Sequence, residues 1–264
     1  MKNKVILVTL LTISLISAPF AEDLTVENDL KNEFYVDYDK ARVSDLHTYW
    51  NTITPAYYRN TDYGKYGAGF SNLDKFGTSN QYFVDLNPRY KQMYAQVLLN
   101  FSKHEQINFP TVQQVYNLYY TTRNGVELSA GYGTKIYSNF SNQKIRTETI
   151  SVGYYFKEYF VFARPSYDSG QRLLFGQIGL TRYFSDKYNF VRAILNGGTI
   201  PDIGDVPPLD TLVKAHQLGI NGNGQFSLTT YFYLRLGVGY TKMMYPNFLR
   251  RYVTNGTLGF LWRF

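Results

Sequence analysis

The sequence predicts an all-β protein, a transmembrane antiparallel up-and-down β-barrel of about 14 strands, with about 12 as the alternative count. Three features lead there. The chain opens on a secretory signal, its apolar residues alternate with polar ones in segment after segment, and it ends on an amphipathic strand closed by Phe264. No run beyond residue 21 is long and apolar enough to cross a bilayer as a helix. Only helices and closed barrels satisfy their backbone polar groups in lipid, so a membrane reading of this chain is a barrel reading.

Met1-Lys2-Asn3-Lys4 leads into an apolar run over 5–16, then Ser17, Ala18 and Ala21 precede the acidic Glu22-Asp23. This is the layout of a signal peptide over 1–21, cleaved after Ala21, which exports the chain. The run is too short for a membrane-spanning helix, which needs about twenty apolar residues, and it contains Thr9, Thr12 and Ser14. A short periplasmic segment over 22–32 then precedes a barrel over 33–264.

Composition agrees with this organisation. The 264 residues include 26 Tyr, 19 Phe and 21 Gly, and aromatic residues make 18% of the chain although its mean hydropathy is −0.30. Rows that face lipid and a polar interior in alternation produce that mixture. With Cys 0, an exported chain of this size draws no stability from disulfides, which excludes small cross-linked scaffolds. The formal net charge of +7 is spread along the chain, and two of its charges, Lys2 and Lys4, leave with the signal peptide. Neither a basic run nor the exported location suits a nucleic-acid partner.

Four strands read clearly. Leu258, Phe260, Trp262 and Phe264 alternate with Gly259, Leu261 and Arg263, the form of the terminal strand read by the outer-membrane barrel assembly machinery. Phe232, Leu234, Leu236, Val238 and Tyr240 form one face of a second strand, opposite Tyr233, Arg235, Gly237, Gly239 and Thr241. The same split covers 126–136 and 149–156. Weaker versions cover 34–43, 46–58, 67–73, 81–86, 93–101, 112–121, 159–167, 173–184, 188–196 and 214–225. Connections alternate in length as a barrel requires. The outer ones are long (102–110, 138–144, 199–213, 242–251), whereas the periplasmic ones (122–125, 157–158, 185–187) are short. Residues 59–66 are long for a periplasmic turn, which is why the lower strand count stays open. Tyr57, Tyr58, Tyr116, Tyr119, Tyr120, Tyr154, Tyr155, Tyr159 and Tyr183 fall near strand ends and read as an interfacial girdle, with sugar-stacking lumen rings as the alternative.

The order of several motifs resembles the YaiO-type outer-membrane β-barrel family. These are Phe109-Pro110 followed by Tyr116, the block from Gly125-Val126-Glu127 to Gly131-Tyr132, Arg182-Tyr183-Phe184 with Tyr188-Asn189, and the Gly197-Gly198 segment leading to Pro201-Asp202. The resemblance spans roughly 33–264. It departs from the family at Lys75-Phe76-Gly77, where Arg-Phe-Gly is usual, and in the absence of a helical tetratricopeptide region between the signal and the first strand. The resemblance implies an envelope role, tied to polysaccharide synthesis or export.

The alternation places Asp37, Asp39, Asp85 and Glu127 on the interior together with Lys135, Arg164, Arg192 and Arg235. Two readings of these charges stay open. In a wide lumen they set up a field that selects solutes; in a narrow one they pair as internal salt bridges. Phe160, Phe162, Phe175 and Phe190 also point inward and are candidates to occlude a pore, as is the 199–213 connection if it folds back.

Chemistry is sparse. The histidines are His47, His104 and His216; a rim site of His47 and His104 with Asp45 or Glu105 has no dyad or triad spacing. No catalytic residue, metal site or cofactor is expected. The functional reading is an outer-membrane channel or envelope component, with outer-membrane lipid, the assembly machinery and a polysaccharide or small solute as partners. The alternatives are an interaction barrel working through its extracellular loops, an outer-membrane enzyme, and a secreted β-sandwich.

Overall fold

The computed structural model describes residues 30–44, 48–74, 78–103, 109–138, 143–184, 186–203, 212–246 and 250–264. The expected signal peptide lies outside the described residues. Fourteen strands form one closed antiparallel barrel in simple sequential order, sealed where β1 (Asn32–Val43) pairs with β14 (Arg250–Arg263). That decides between the two counts. The others are β2 (Thr48–Thr61), β3 (Gly64–Asp74), β4 (Thr78–Tyr90), β5 (Met93–Ser102), β6 (Val112–Thr121), β7 (Val126–Tyr137) and β8 (Gln143–Phe156). After them come β9 (Tyr159–Asp168), β10 (Leu173–Tyr183), β11 (Phe190–Ile203), β12 (Leu212–Ser227) and β13 (Phe232–Met244).

Closure leaves no sheet edge, so every strand has partners on both sides. The period-two pattern then sorts side chains into two environments. Val238, Leu218 and Ile150 on the outward rows are 70%, 65% and 63% exposed, and no second layer covers them. An apolar belt running round the whole barrel has hydrocarbon as its natural solvent.

Two corrections concern the ends of strands. Residues 59–66, expected as a long turn, are ladder: Arg59 faces Tyr66, and Asp62-Tyr63 alone makes the turn before Gly64. The backbone of Gly64 has φ 135, and a Cβ there would sit 2.1 Å from the Asn87 carbonyl oxygen, so only glycine closes this turn. The connection expected over 199–213 is likewise shorter, because Thr199 to Asp202 pair with His216 to Val213 and carry β11 and β12 beyond the expected rim. Pro201 is the reason the sequence hid this. A proline in a strand lacks the N–H its ladder uses, and it reads as a loop signal. The remaining loop residues, 204–211, lie outside the described residues.

The outward row of β13 yields a direct test. Val238→Arg, at mid-height of the belt, should destabilise the barrel in lipid vesicles by roughly 2–4 kcal/mol, whereas Lys242→Arg near the rim should cost about 0–1 kcal/mol. Denaturant unfolding measures both; equal, small losses would contradict a lipid-facing row.

Candidate functional site: the barrel interior

Inward residues from successive strands fall into continuous rows, because each cross-strand pair places its two side chains on the same face. Large inward side chains lie beside inward glycines. A Cβ on Gly179 would meet the Phe162 ring at 2.2 Å, and one on Gly153 the Phe160 ring at 2.6 Å. These rings therefore lie flat along the wall rather than across the lumen, the arrangement by which aromatics cover sheet glycines.

The predicted charges are placed unequally. Arg235 and Asp37 form an ion pair at 2.8 Å that spans Gly259, with the guanidinium 4.7 Å from the Tyr35 ring. Both flank Gly259 in register, and a Cβ there would strike the carboxylate. Asp39 accepts a hydrogen bond from Thr257. Asp85 and Glu127 are held by phenols instead of cations: Tyr58 donates to Asp85 at 3.1 Å, and Tyr94 and Tyr155 donate to Glu127 at 3.0 and 3.2 Å. Arg192 donates to Thr181 at 2.9 Å, and Arg164 lies 5.6 Å from the Phe162 ring. Lys135 has no acidic partner among the described residues. So one ion pair forms among the predicted charges, while Lys135, Arg164 and Arg192 have no ion-pair partner among the described residues.

These three cations line a cavity of about 2610 Å³, a volume that includes its open solvent, bounded by β5 through β14. Its wall is rich in neutral amides and hydroxyls, among them Gln96, Asn117, Gln177, Asn196, Asn221 and Thr257. Amides carry both donors and acceptors without charge. Tyr119, Phe160, Phe162 and Phe175 supply flat apolar faces to the same space.

Sequence reasoning missed both ends of this chamber. At the end bearing the termini, the buried Glu33, 2% exposed, accepts hydrogen bonds from Lys65 and Asn60 at 2.7 Å and from the Tyr188 hydroxyl at 3.0 Å. Tyr188 belongs to the turn between β10 and β11, yet β12, β13 and β14 separate β11 from β1. The turn therefore bends across the mouth. Asp186 folds it by accepting the backbone N–H groups of Tyr188 and Asn189, and Asn189 in turn accepts the N–H of Ser227 at 2.6 Å. The Arg263 guanidinium lies 3.8 Å from the Tyr188 ring centre, and Tyr233 packs against it at 5.6 Å. Burial and the adjacent Glu33 carboxylate push the Tyr188 phenol above its ordinary value, which keeps it a donor. A pointer to part of this cluster was present in sequence, since closing the first strand on the last sets Glu33 opposite Arg263.

At the other end Val43, Trp50, Ile200, Ala215, Met243, Tyr245 and Val253 form a buried apolar cluster, packed by Ala41, Leu73 and Phe175. Its members come from β10 round to β3, and Val43 and Ala215 are 0% exposed. The interior is thus polar in the middle, ionic at the inner end and largely apolar at the outer rim, where the buried Arg251 guanidinium donates to the Tyr245 hydroxyl at 3.4 Å.

The tyrosine girdle needs correction. Tyr57, Tyr116, Tyr120 and Tyr154 are exposed on the outer surface, but Tyr58, Tyr119 and Tyr183 are buried inside, and Tyr155 joins them on Glu127. Two of these inward phenols, Tyr58 and Tyr155, serve carboxylates, a use that a girdle count cannot distinguish. His216 is exposed on the outside and bonds Thr199 at 2.9 Å; His47 and His104 lie outside the described residues. Among the described residues no group of three His, Cys, Asp or Glu is placed to hold a metal ion.

Comparison with solved structures supports the architecture. A bacterial polysaccharide outer membrane secretin matches with TM-score 0.50 at 12% identity, covering 90% of this chain and 100% of that one. The CymD monoaromatic hydrocarbon channel matches with TM-score 0.57 at 6% identity over 89% of each chain. The outer membrane protein Omp33 of Acinetobacter baumannii matches with TM-score 0.50 at 12% identity, over 89% of this chain and 99% of that one. At such identities the likeness is one of fold. No curated protein matches the chain. The YaiO membrane beta barrel domain matches residues 31–203, which ends with β11 and leaves the last three strands outside the match. With that match over more than half of its length and a closed barrel built to face lipid, the chain belongs to the YaiO membrane β-barrel family and resides in the Gram-negative outer membrane.

Proposed function

We propose that the barrel is a gated outer-membrane passage for a hydroxyl-rich solute of the saccharide class, neutral or weakly anionic. The observation that carries this reading is the central cavity, walled by amides, hydroxyls and flat rings, where the cations Lys135, Arg164 and Arg192 outnumber the carboxylates Glu127 and Asp168 and none of the five has an ion-pair partner among the described residues. Amides match the mixed donors and acceptors of sugar hydroxyls, and aromatic faces suit the apolar faces of sugar rings. The cations favour solutes that bear occasional carboxylates or phosphates.

Among the described residues each end carries an element that narrows it. The outer cluster around Trp50 and Met243 is the kind of apolar constriction that excludes water, and the Tyr188 turn covers the periplasmic mouth. Passage therefore requires the Glu33 to Tyr188 contact to break. The mature chain reaches the membrane by way of the assembly machinery, and the row Leu258, Phe260, Trp262 and Phe264 is its signal. In support, all four are exposed on the outer face, with Trp262 stacked on Phe232 at 5.9 Å and tilted against Phe264 at 4.4 Å.

Proteoliposome swelling with neutral saccharides of increasing size tests the passage. The unaltered barrel should admit small saccharides slowly, and Tyr188→Phe, which removes a hydrogen bond to a carboxylate worth about 1.5–3 kcal/mol, should raise the rate by roughly ten-fold or more. Exclusion of every saccharide by both proteins would defeat the proposal. In planar bilayers, Arg164→Ala with Arg192→Ala should move the reversal potential toward cation preference. An unchanged potential with unchanged conductance would show that the ions do not pass these groups.

A further inference from the structure

The outer surface carries a charge pattern that the passage does not use. On four adjacent strands the outward rows run from apolar to cationic as they approach the outer rim. On β1, Phe34, Val36 and Tyr38 are followed by Lys40 and Arg42; on β13, Leu236, Val238 and Tyr240 are followed by Lys242. On β14, Leu258 and Phe260 give way to Tyr252 and then Arg250, and on β12 Ile220 and Leu218 give way to His216 and Lys214. Lys40, Arg42, Lys214 and Arg250 are exposed and Lys242 is half-buried. None of the five has an ion-pair partner among the described residues.

Register makes this one patch. Arg42 faces Thr254, which faces Tyr240; Lys242 lies between Tyr252 and Leu218; Arg250 faces Met244, which faces His216. The four strands are three interstrand steps wide, about 14 Å at roughly 4.8 Å per step. Lys40 stands opposite Gly256, where no side chain projects, and its ammonium group lies 4.7 Å from the centre of the Tyr49 ring on β2. Described outward positions on these strands hold no Asp or Glu. By contrast, Lys144 and Arg146 on β8 share their outward row with Glu148.

Height identifies the occupant. Tyr240 and Tyr252 stack at 6.2 Å, and Tyr38 donates to Asn51 at 2.9 Å, marking the level where hydrocarbon meets headgroups. On β1, β13 and β14 a cation follows two residues beyond the tyrosine, Lys40 after Tyr38, Lys242 after Tyr240 and Arg250 beyond Tyr252, about 7 Å further along the strand at headgroup depth. Nothing anionic among the described residues answers them, and the outer leaflet of a Gram-negative outer membrane is built of a phosphorylated disaccharide glycolipid.

We propose that Lys40, Arg42, Lys242 and Arg250, with Lys214 at the flank, form a binding site for the phosphate groups of that outer-leaflet glycolipid, one molecule lying across β12, β13, β14 and β1. Ammonium and guanidinium groups form charge-assisted hydrogen bonds to phosphate, bidentate from arginine. The acyl chains of the same molecule lie on the Leu236, Val238 and Leu258 surface below. The site is external and independent of whether the lumen conducts.

The test titrates folded barrel in a zwitterionic detergent with purified lipid A carrying both phosphates, with the same lipid dephosphorylated, and with inorganic phosphate, reading the thermal unfolding midpoint and lipid retention in native mass spectrometry. The bisphosphorylated lipid should raise the midpoint and stay bound, and the other two should not. Replacing the four residues together (Lys40→Gln, Arg42→Gln, Lys242→Gln, Arg250→Gln) should weaken binding at least ten-fold, while Lys144→Gln with Arg146→Gln on β8 should leave it intact. Equal binding of dephosphorylated lipid would reduce the contact to acyl chains, and an equal shift from inorganic phosphate would make it a free-anion site; either overturns the proposal. The lipid comparison is made on the unaltered protein, so it decides even if the four-fold variant does not fold.

Discussion

In hydrocarbon a peptide N–H or C=O that lacks a partner has no water to bond, at a cost of several kcal/mol for each group, and this chain meets that constraint by sealing β1 onto β14. The seam runs from Glu33 opposite Arg263 to Val43 opposite Val253 without a break. Once it closes, the identity of every inward and outward row is fixed, because a slip of one residue would turn each oily row into the lumen. The lipid belt, the polar chamber and the cationic rim are three consequences of that single register.

Inside the barrel the same register decides which polar groups meet. Carboxylates buried away from bulk water need donors, and the structure finds them in phenols as often as in cations. Glycines make this possible by giving up space on the inner face: Gly259 lets Asp37 reach Arg235, and Gly179 lets the Phe162 ring lie down. The chamber keeps its volume because bulky groups are laid along its wall. A family of barrels could keep one backbone and reshape its interior by exchanging such pairs of small and large inward residues.

The two surfaces divide the work. The interior combines uncharged hydrogen-bonding groups with charges of both signs, and among the described residues its ends differ in kind, an apolar cluster at the outer rim and a buried carboxylate cluster at the periplasmic mouth. The exterior carries an apolar belt, and at its upper margin positive charge without described acidic neighbours gathers on β12, β13, β14 and β1, the strands about the closing seam. A glycolipid held there would brace the seam from outside, at the one place where ladder pairing joins residues far apart in the chain.

The sequence by itself determined the barrel, its strand pairs and the faces of its strands, because alternation is a local property that survives without knowledge of neighbours. Residues such as Leu236, Val238, Asp37 and Arg235 could be assigned to outside or inside from their parity alone. Tertiary structure decided what parity cannot carry. Glu33 meets Tyr188 only because a turn folds across the mouth, Tyr58 and Tyr155 serve carboxylates only because closure and shear bring them into the same rows, and Pro201 continues a strand only because its neighbours hold it there. Local pattern fixes the direction in which a side chain points, but the partner it finds depends on the register and curvature of strands far away in sequence.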